Sequence, residues 1–272
     1  MATRKIHFFT GKGGVGKSTV CAGFALKKSM NTNDKILLTE LSEESHFKEI
    51  ILTKHQKTLS IEQWNANSCL SEYASRLLRS TSLSKILLNN SVSKALINAA
   101  PGLQELAILG KATSGPRNHG PQMNYDEIFI DSFASGHFLN LVVAPESFAE
   151  VFSIGPMATQ SKSINLWLKN KDFTNVHIVT MSDELITTES IELYRQLTDL
   201  NMHCDFIFNK FTDFDKINFK KLGTKTHKFF KNIYDQQKSA LSEIKKLNCK
   251  IEYVPYFFEQ TFEQTIQQVS KL

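Results

Sequence analysis

The chain has 272 residues, 41% of them hydrophobic and 22% charged, with a formal net charge of +5. That is enough apolar material for one large core, and the small charge excess argues against a nucleic-acid partner, because its lysines lie scattered through "FKKLGTKTHKFFKN" and "SEIKKLNCK" among acidic residues. The longest apolar run, "FLNLVVA", is far short of a membrane span, so no stable membrane insertion is expected.

The N-terminal "MATRKIHFFTG" has no signal-peptide pattern and leads straight into a strand. The turn after that strand carries the chemistry. "GKGGVGKS", residues 11–18, matches G-x-x-x-x-G-K-[ST], a phosphate-binding loop. Gly11, Gly13, Gly14 and Gly16 remove the Cβ atoms that would keep a curled backbone from an anion. The helix expected over 17–29 points its unpaired amides at the same spot. In such a loop Lys17 reaches the β- and γ-phosphates and the Ser18 hydroxyl ligates Mg²⁺, with Lys12, Val15 and Thr19 completing the lining.

Further along, short apolar runs alternate with helical stretches. Strands are predicted at 5–9, 35–38, 127–130, 139–143, 176–180, 205–208 and 250–254, which implies a mostly parallel α/β sheet with helices on both faces. Residues 42–122 show no convincing strand but carry helical patterns in "SEYASRLLRSTSLSKILLN" and "SVSKALINAAPGLQELAILGK". A loop of that length is improbable in a compact domain, so one domain over 1–272 is expected to hold an inserted helical subdomain at 42–122, leaving through the Gly- and Pro-rich 113–124. "YDEIFIDSFASGH" then places Asp131 at the end of a buried strand, where a carboxylate holds Mg²⁺ through water. The C-terminal "FFEQTFEQTIQQVSKL" reads as an amphipathic helix through Phe258, Phe262, Ile266 and Val269, packed on the domain. Cys21, Cys69, Cys204 and Cys249 stand far apart without a CxxC pair, as in reduced, mostly buried thiols of a cytoplasmic protein.

The extra Lys12 is the more specific mark. "KGGVGKS" resembles the deviant phosphate loop of dimeric ATPases, among them the ArsA-like, partition and nitrogenase-iron-protein groups. Five further stretches are similar to the ArsA-like anion-transporting ATPases, which include arsenite-pump and tail-anchored-protein targeting ATPases. "DSFASGH" resembles their D-T-A-P-T-G-H, keeping Asp131, Gly136 and His137. "VTMSDELITTESIELYRQL" is similar to their V-T-x-P-E-x-L-x-x-x-E-x-x-x-L block. "FIFNKF" resembles the strand end whose Asn reads adenine, here Asn209 with Lys210 beside it, and "VPYF" the loop that closes over the base, here at Pro255. "PGLQELAILGK" resembles the Pro-Gly helix of the family's helical subdomain.

The resemblance implies ATP and Mg²⁺ as ligands, catalytic roles for Lys12, Lys17, Glu40 and Asp131, and a homodimer or a heterodimer with a paralogue, in which Lys12 reaches a phosphate of the partner chain. It also implies an unknown client protein. The family's D-P-A after the second strand is "ELS" here, with Glu40 where the water-positioning Asp stands. The extra methylene carries the carboxylate about 1 Å further, a displacement worth roughly 10²-fold in rate. Two readings stay open: an ATP-hydrolysing switch, or a nucleotide-binding regulatory subunit with weak hydrolysis working beside a paralogue. A partition or positioning ATPase is a third, disfavoured by the Gln- and Glu-rich polar face of the C-terminal helix.

Overall fold

The computed structural model describes residues 4–42, 46–47, 58–77, 102–117, 119–121, 123–151, 154–216 and 224–272. Its centre is a seven-stranded sheet of β1 (Lys5–Gly11), β2 (Ile36–Glu40), β3 (Leu59–Gln63), β4 (Glu127–Ala134), β5 (Thr174–Thr180), β6 (Cys204–Phe211) and β7 (Ile251–Pro255). Every pairing is parallel, in the order β3-β2-β4-β1-β5-β6-β7. Parallel strands need crossovers, and buried parallel strands are apolar on both faces. The run of β1 shows this: Phe8 and Phe9 are both fully buried although they face opposite sides.

Two cores result. On one face α1 (Lys17–Asn31) and α8 (Phe262–Val269) cover Phe9, Leu38, Phe129, Val179 and Ile207. On the other, α3 (Leu103–Ala112), α4 (Ser135–Val151), α5 (Pro156–Leu168), α6 (Glu184–Asp199) and α7 (Thr224–Lys245) cover Ile6, Phe8, Ile130, Ile178, Phe206 and Phe208. The C-terminal amphipathic segment packs on the domain as expected through Ile266 and Val269, both fully buried. Its docking needs Gly23 of α1, where an added Cβ would lie 2.4 Å from a Val269 methyl. Phe258 and Phe262 stay largely exposed.

Two expectations are corrected. Residues 139–143 are helical, inside α4. Phe138, Leu141, Val142, Pro145 and Phe148 are buried at spacings of three and four, so the apolar run that reads as a strand is one stripe of a helix. Conversely, β3 lies within 42–122 and forms the sheet edge beside β2, register-paired from Ile36↔Leu59 to Glu40↔Gln63. "LSIEQ" alternates weakly, with Leu59 buried and the next four residues half-buried, which hides an edge strand from pattern reading. After it come α2 (Ala66–Leu77) and α3, which pack on each other, with α3 also against α4. The helical pattern at 78–97 lies outside the described residues.

Candidate functional site

At the carboxyl end of β1 the chain turns through Gly11–Gly16 into α1. The loop depends on glycine at its two ends. Gly11 has φ +143°, and a Cβ there would stand 2.2 Å from the Val179 carbonyl oxygen on β5. Gly16 has φ +89° and lies against Asn209, whose Nδ2 would be 2.5 Å from an added Cβ. Gly13 and Gly14 are exposed, and a Cβ on either would meet nothing within 4 Å, although Gly14, at φ +83°, also requires glycine's backbone freedom. The closely packed glycines set the loop's path, and the open ones leave room for a ligand to approach the backbone. Val15 is fully buried and anchors the turn.

The N-terminus of α1 has no side-chain cap and no acidic residue in its first turn. Asp183 caps α6 and Thr261 with Gln264 forms a capping box on α8, whereas α3 and α5, like α1, follow a glycine without a side-chain cap. What distinguishes α1 is its place: its first-turn amides and the positive end of its dipole face the loop with the open Gly13 and Gly14. Lys17 Nζ rests 3.3 Å from the Lys12 carbonyl oxygen. Burial lowers the Lys17 pKa and the nearby Asp131 charge partly restores it. Ser18 and Thr19 come next in the first turn, both half-buried.

Two carboxylates close the site from the neighbouring strands. Glu40 ends β2 and Asp131 sits on β4 as its register partner, and the Leu41 amide donates to the Asp131 carbonyl oxygen at 3.0 Å. Both side chains are buried, Glu40 at 1% exposure and Asp131 at 8%. Burial pushes Asp131 up to about 6, against the opposing pull of a Ser18 hydrogen bond and of Lys17, while Glu40 adds to the rise. One of its oxygens, Oδ1, is buried without a hydrogen-bond partner. Glu40 accepts hydrogen bonds from the His46 backbone amide at 2.9 Å and from the His46 ring at 3.2 Å.

The residues expected at the base lie on the opposite flank of the loop. Asn209, near the end of β6, is buried; its Nδ2 donates to the Val15 carbonyl oxygen at 2.8 Å and its Oδ1 accepts from the Lys210 amide at 2.9 Å. Lys210 is exposed and adopts φ +54°. Pro255 ends β7 opposite Phe211, and the Tyr256 amide donates to the Phe211 carbonyl oxygen at 3.0 Å. Loop, carboxylates and this flank thus share one edge of the sheet, where ligands of open parallel sheets bind. His137 stacks on Phe133 with ring centroids 3.9 Å apart and lies 3.8 Å from Glu105 of α3, which ties the stretch after Asp131 to the helical segment.

Two partners were not legible in the sequence. Glu189 on α6 holds Lys12, with Nζ and Oε1 2.5 Å apart; it lies within "VTMSDELITTESIELYRQL", a block whose resemblance gives it no role. His46 reaches Glu40 across residues 43–45, and no spacing rule points to it.

The fit to a magnesium-bound triphosphate rests on these features. An orphaned buried carboxylate oxygen beside a serine hydroxyl suits the water shell of a hard cation, and an uncapped helix with open glycines suits phosphate oxygens. Fold and loop together place the chain in the phosphate-loop class of α/β nucleotide-binding proteins. A family model described as anion-transporting ATPase matches residues 4–155, and the chain belongs to that family. It is 22% identical to the ATPase BagA of Mycobacterium tuberculosis over 215 residues, which are 73% of this chain and 62% of that protein. It is 28% identical over 150 residues to a protein of Aquifex aeolicus provisionally named arsenical pump-driving ATPase 2, covering 51% and 48% of the two chains. The chain therefore spans less than two thirds of the length of these relatives.

Proposed function

We propose that the chain binds ATP with Mg²⁺ and hydrolyses it as one half of a two-chain switch. The observation that carries this reading is the uncapped α1 behind the Gly11–Gly16 loop, with the unpartnered Oδ1 of Asp131 at the same edge. The loop amides and Lys17 hold the β- and γ-phosphates, while Ser18 and, through water, Asp131 hold the cation. Magnesium supplies charge neutralisation at the phosphate oxygens. Glu40 holds the attacking water in line, and Lys12 of the partner chain offsets charge at the phosphates. Asn209 and Lys210, with Pro255 on the neighbouring strand end, receive the adenine.

The helical segment carries the nucleotide state to a client. Its support is the Phe133–His137–Glu105 connection and a cavity of about 590 Å³ between Ser42, Trp64, Glu105 and His137, where both carboxylate-bearing strand ends meet α2 and α3. Among the described residues no helix is long and apolar enough to cross a membrane. A reducing, cytoplasmic setting is supported by four free cysteines, three of them buried.

A second reading, a regulatory subunit with little hydrolysis of its own, is favoured by one observation: Glu40 is already engaged by His46. Calorimetric titration with ATP·Mg²⁺ and a phosphate-release assay separate the two. The switch predicts binding and turnover in the wild type and loss of both in Lys17→Ala. Binding without turnover selects the regulatory reading, and no binding refutes both.

A further inference from the structure

Lys12 stands at the rim of the phosphate loop, one residue before the open glycines, yet its ammonium is already engaged. It is bonded to Glu189 of α6 at 2.5 Å, with the two side chains 32% and 37% exposed. Its own backbone carbonyl accepts from Lys17, so two ammonium groups serve one loop of bare amides. Unlike charges in contact lower the free energy of the lone chain, and any other anion that takes Lys12 must first displace the carboxylate.

We propose that Glu189 is the resting partner of Lys12: a restraint within one chain that competes with the phosphates for this cation and sets the threshold at which two chains pair around ATP. The inference rests on the cross-chain role of Lys12 in the proposed function. The half-exposed position makes the contact weak enough to break on each cycle. Pairs of this exposure change equilibria by about two- to fivefold. Glu189 is accordingly a positioning residue, acting through Lys12 alone and never on the phosphates.

The test uses the full chain and Glu189→Gln, which keeps the side chain's size and removes its charge. Without nucleotide, amine-reactive labelling followed by mass spectrometry reports Lys12, with half-buried Lys27 as internal reference. Labelling of Lys12 is expected to quicken by about two- to fivefold. With ATP·Mg²⁺, light scattering is expected to show pairing at a correspondingly lower protein concentration. The gain should vanish in Lys12→Ala/Glu189→Gln relative to Lys12→Ala, and Glu189→Asp should restore the wild-type threshold.

Unchanged labelling overturns the contact, and faster labelling with unchanged or weakened pairing overturns the restraint. A Lys12→Ala chain that pairs and hydrolyses like the wild type refutes the cross-chain role itself. In that case the labelling rate still decides whether Glu189 holds Lys12 in the lone chain, so the two failures are distinguishable.

Discussion

Glu40 and Asp131 end up side by side as register partners on adjacent parallel strands, both almost wholly removed from solvent. Burial is the main reason the Asp131 carboxyl is pushed up to about 6, and repulsion from the Glu40 charge adds a smaller part. A bound divalent cation reverses the sign of that interaction.

Asp131→Asn should therefore stabilise the nucleotide-free protein while removing the carboxylate proposed to hold the cation. The folded-state value lies above the ordinary 3.8, so ionised Asp131 opposes folding at pH 7. The gain expected in urea unfolding is on the order of 2 kcal/mol, less whatever water reaches the group. Calorimetry should show that Mg²⁺ no longer tightens ATP binding. A variant less stable than the wild type would contradict the assignment.

Acidification should weaken Mg²⁺-dependent nucleotide binding before it unfolds the chain. Below pH 6 the free protein carries a proton on Asp131 that must leave for the cation to bind, so affinity should fall by about tenfold per pH unit. Titrations at pH 7.5, 6 and 5, with and without Mg²⁺, read this directly; binding without Mg²⁺ should be flat by comparison.

Stability has an opposite acid limb from His177. Burial, with His7, Lys250 and His203 adding repulsion, holds its pKa well below the usual value. The unfolded chain takes up a proton near pH 6.5 that the folded chain refuses, so this contribution falls as pH drops below about 6.5. Glu127 adds a later loss: burial alone would raise it, but hydrogen bonds from His7 and Lys28 hold it at about 2, and that stabilisation disappears as pH falls from about 4.5 toward 2. Because protonation of Asp131 works the other way, Asp131→Asn should show the steeper decline between pH 6.5 and 5 in thermal unfolding.

The loop glycines should divide by what an added methyl meets. Gly11→Ala drives a Cβ into the Val179 carbonyl at an unfavourable φ, so a loss of about 1–3 kcal/mol in unfolding free energy is expected. Gly13→Ala meets open space and should leave stability within about 0.5 kcal/mol, while its methyl stands over the cradle and weakens ATP binding by at least tenfold. Equal effects of the two substitutions on stability would show that the loop's path is not set by Gly11.

On the switch reading His46→Ala should lower turnover more than it raises KM for ATP, whereas on the regulatory reading, in which His46 withholds Glu40, it should raise turnover. It removes the ring hydrogen bond that holds Glu40, and His46→Asn or His46→Gln should recover part of the rate if orientation is what matters. A change confined to KM would place His46 in nucleotide binding.

Legibility in the sequence tracks the range of the forces involved. The loop, the strands flanking it and Asp131 are specified locally, by glycines without alternatives and by apolar runs buried on two faces, and they stand out in the sequence. The C-terminal helix is legible for the same reason, since Ile266 and Val269 share one face. The segment 139–143 misleads because β-branched and apolar residues adjoin there, while the burial that makes it a helix comes from packing α4 chiefly against α5 and α3 and also against β4. β3 escapes because an edge strand has one neighbour and needs little hydrophobic pattern. Lys12–Glu189 and Glu40–His46 are contacts between side chains of separate segments, whose energies are too small and geometry too dependent on the finished fold to mark the sequence.

The most direct test of the two-chain site is phosphate release measured across a dilution series of the purified chain, with light scattering on the same samples with and without ATP·Mg²⁺. A site completed by Lys12 of a second chain predicts that ATP·Mg²⁺ doubles the scattering mass and that the rate per chain falls on dilution as pairs dissociate, with Lys12→Ala inactive throughout. A rate per chain that persists unchanged in samples with single-chain mass would contradict it.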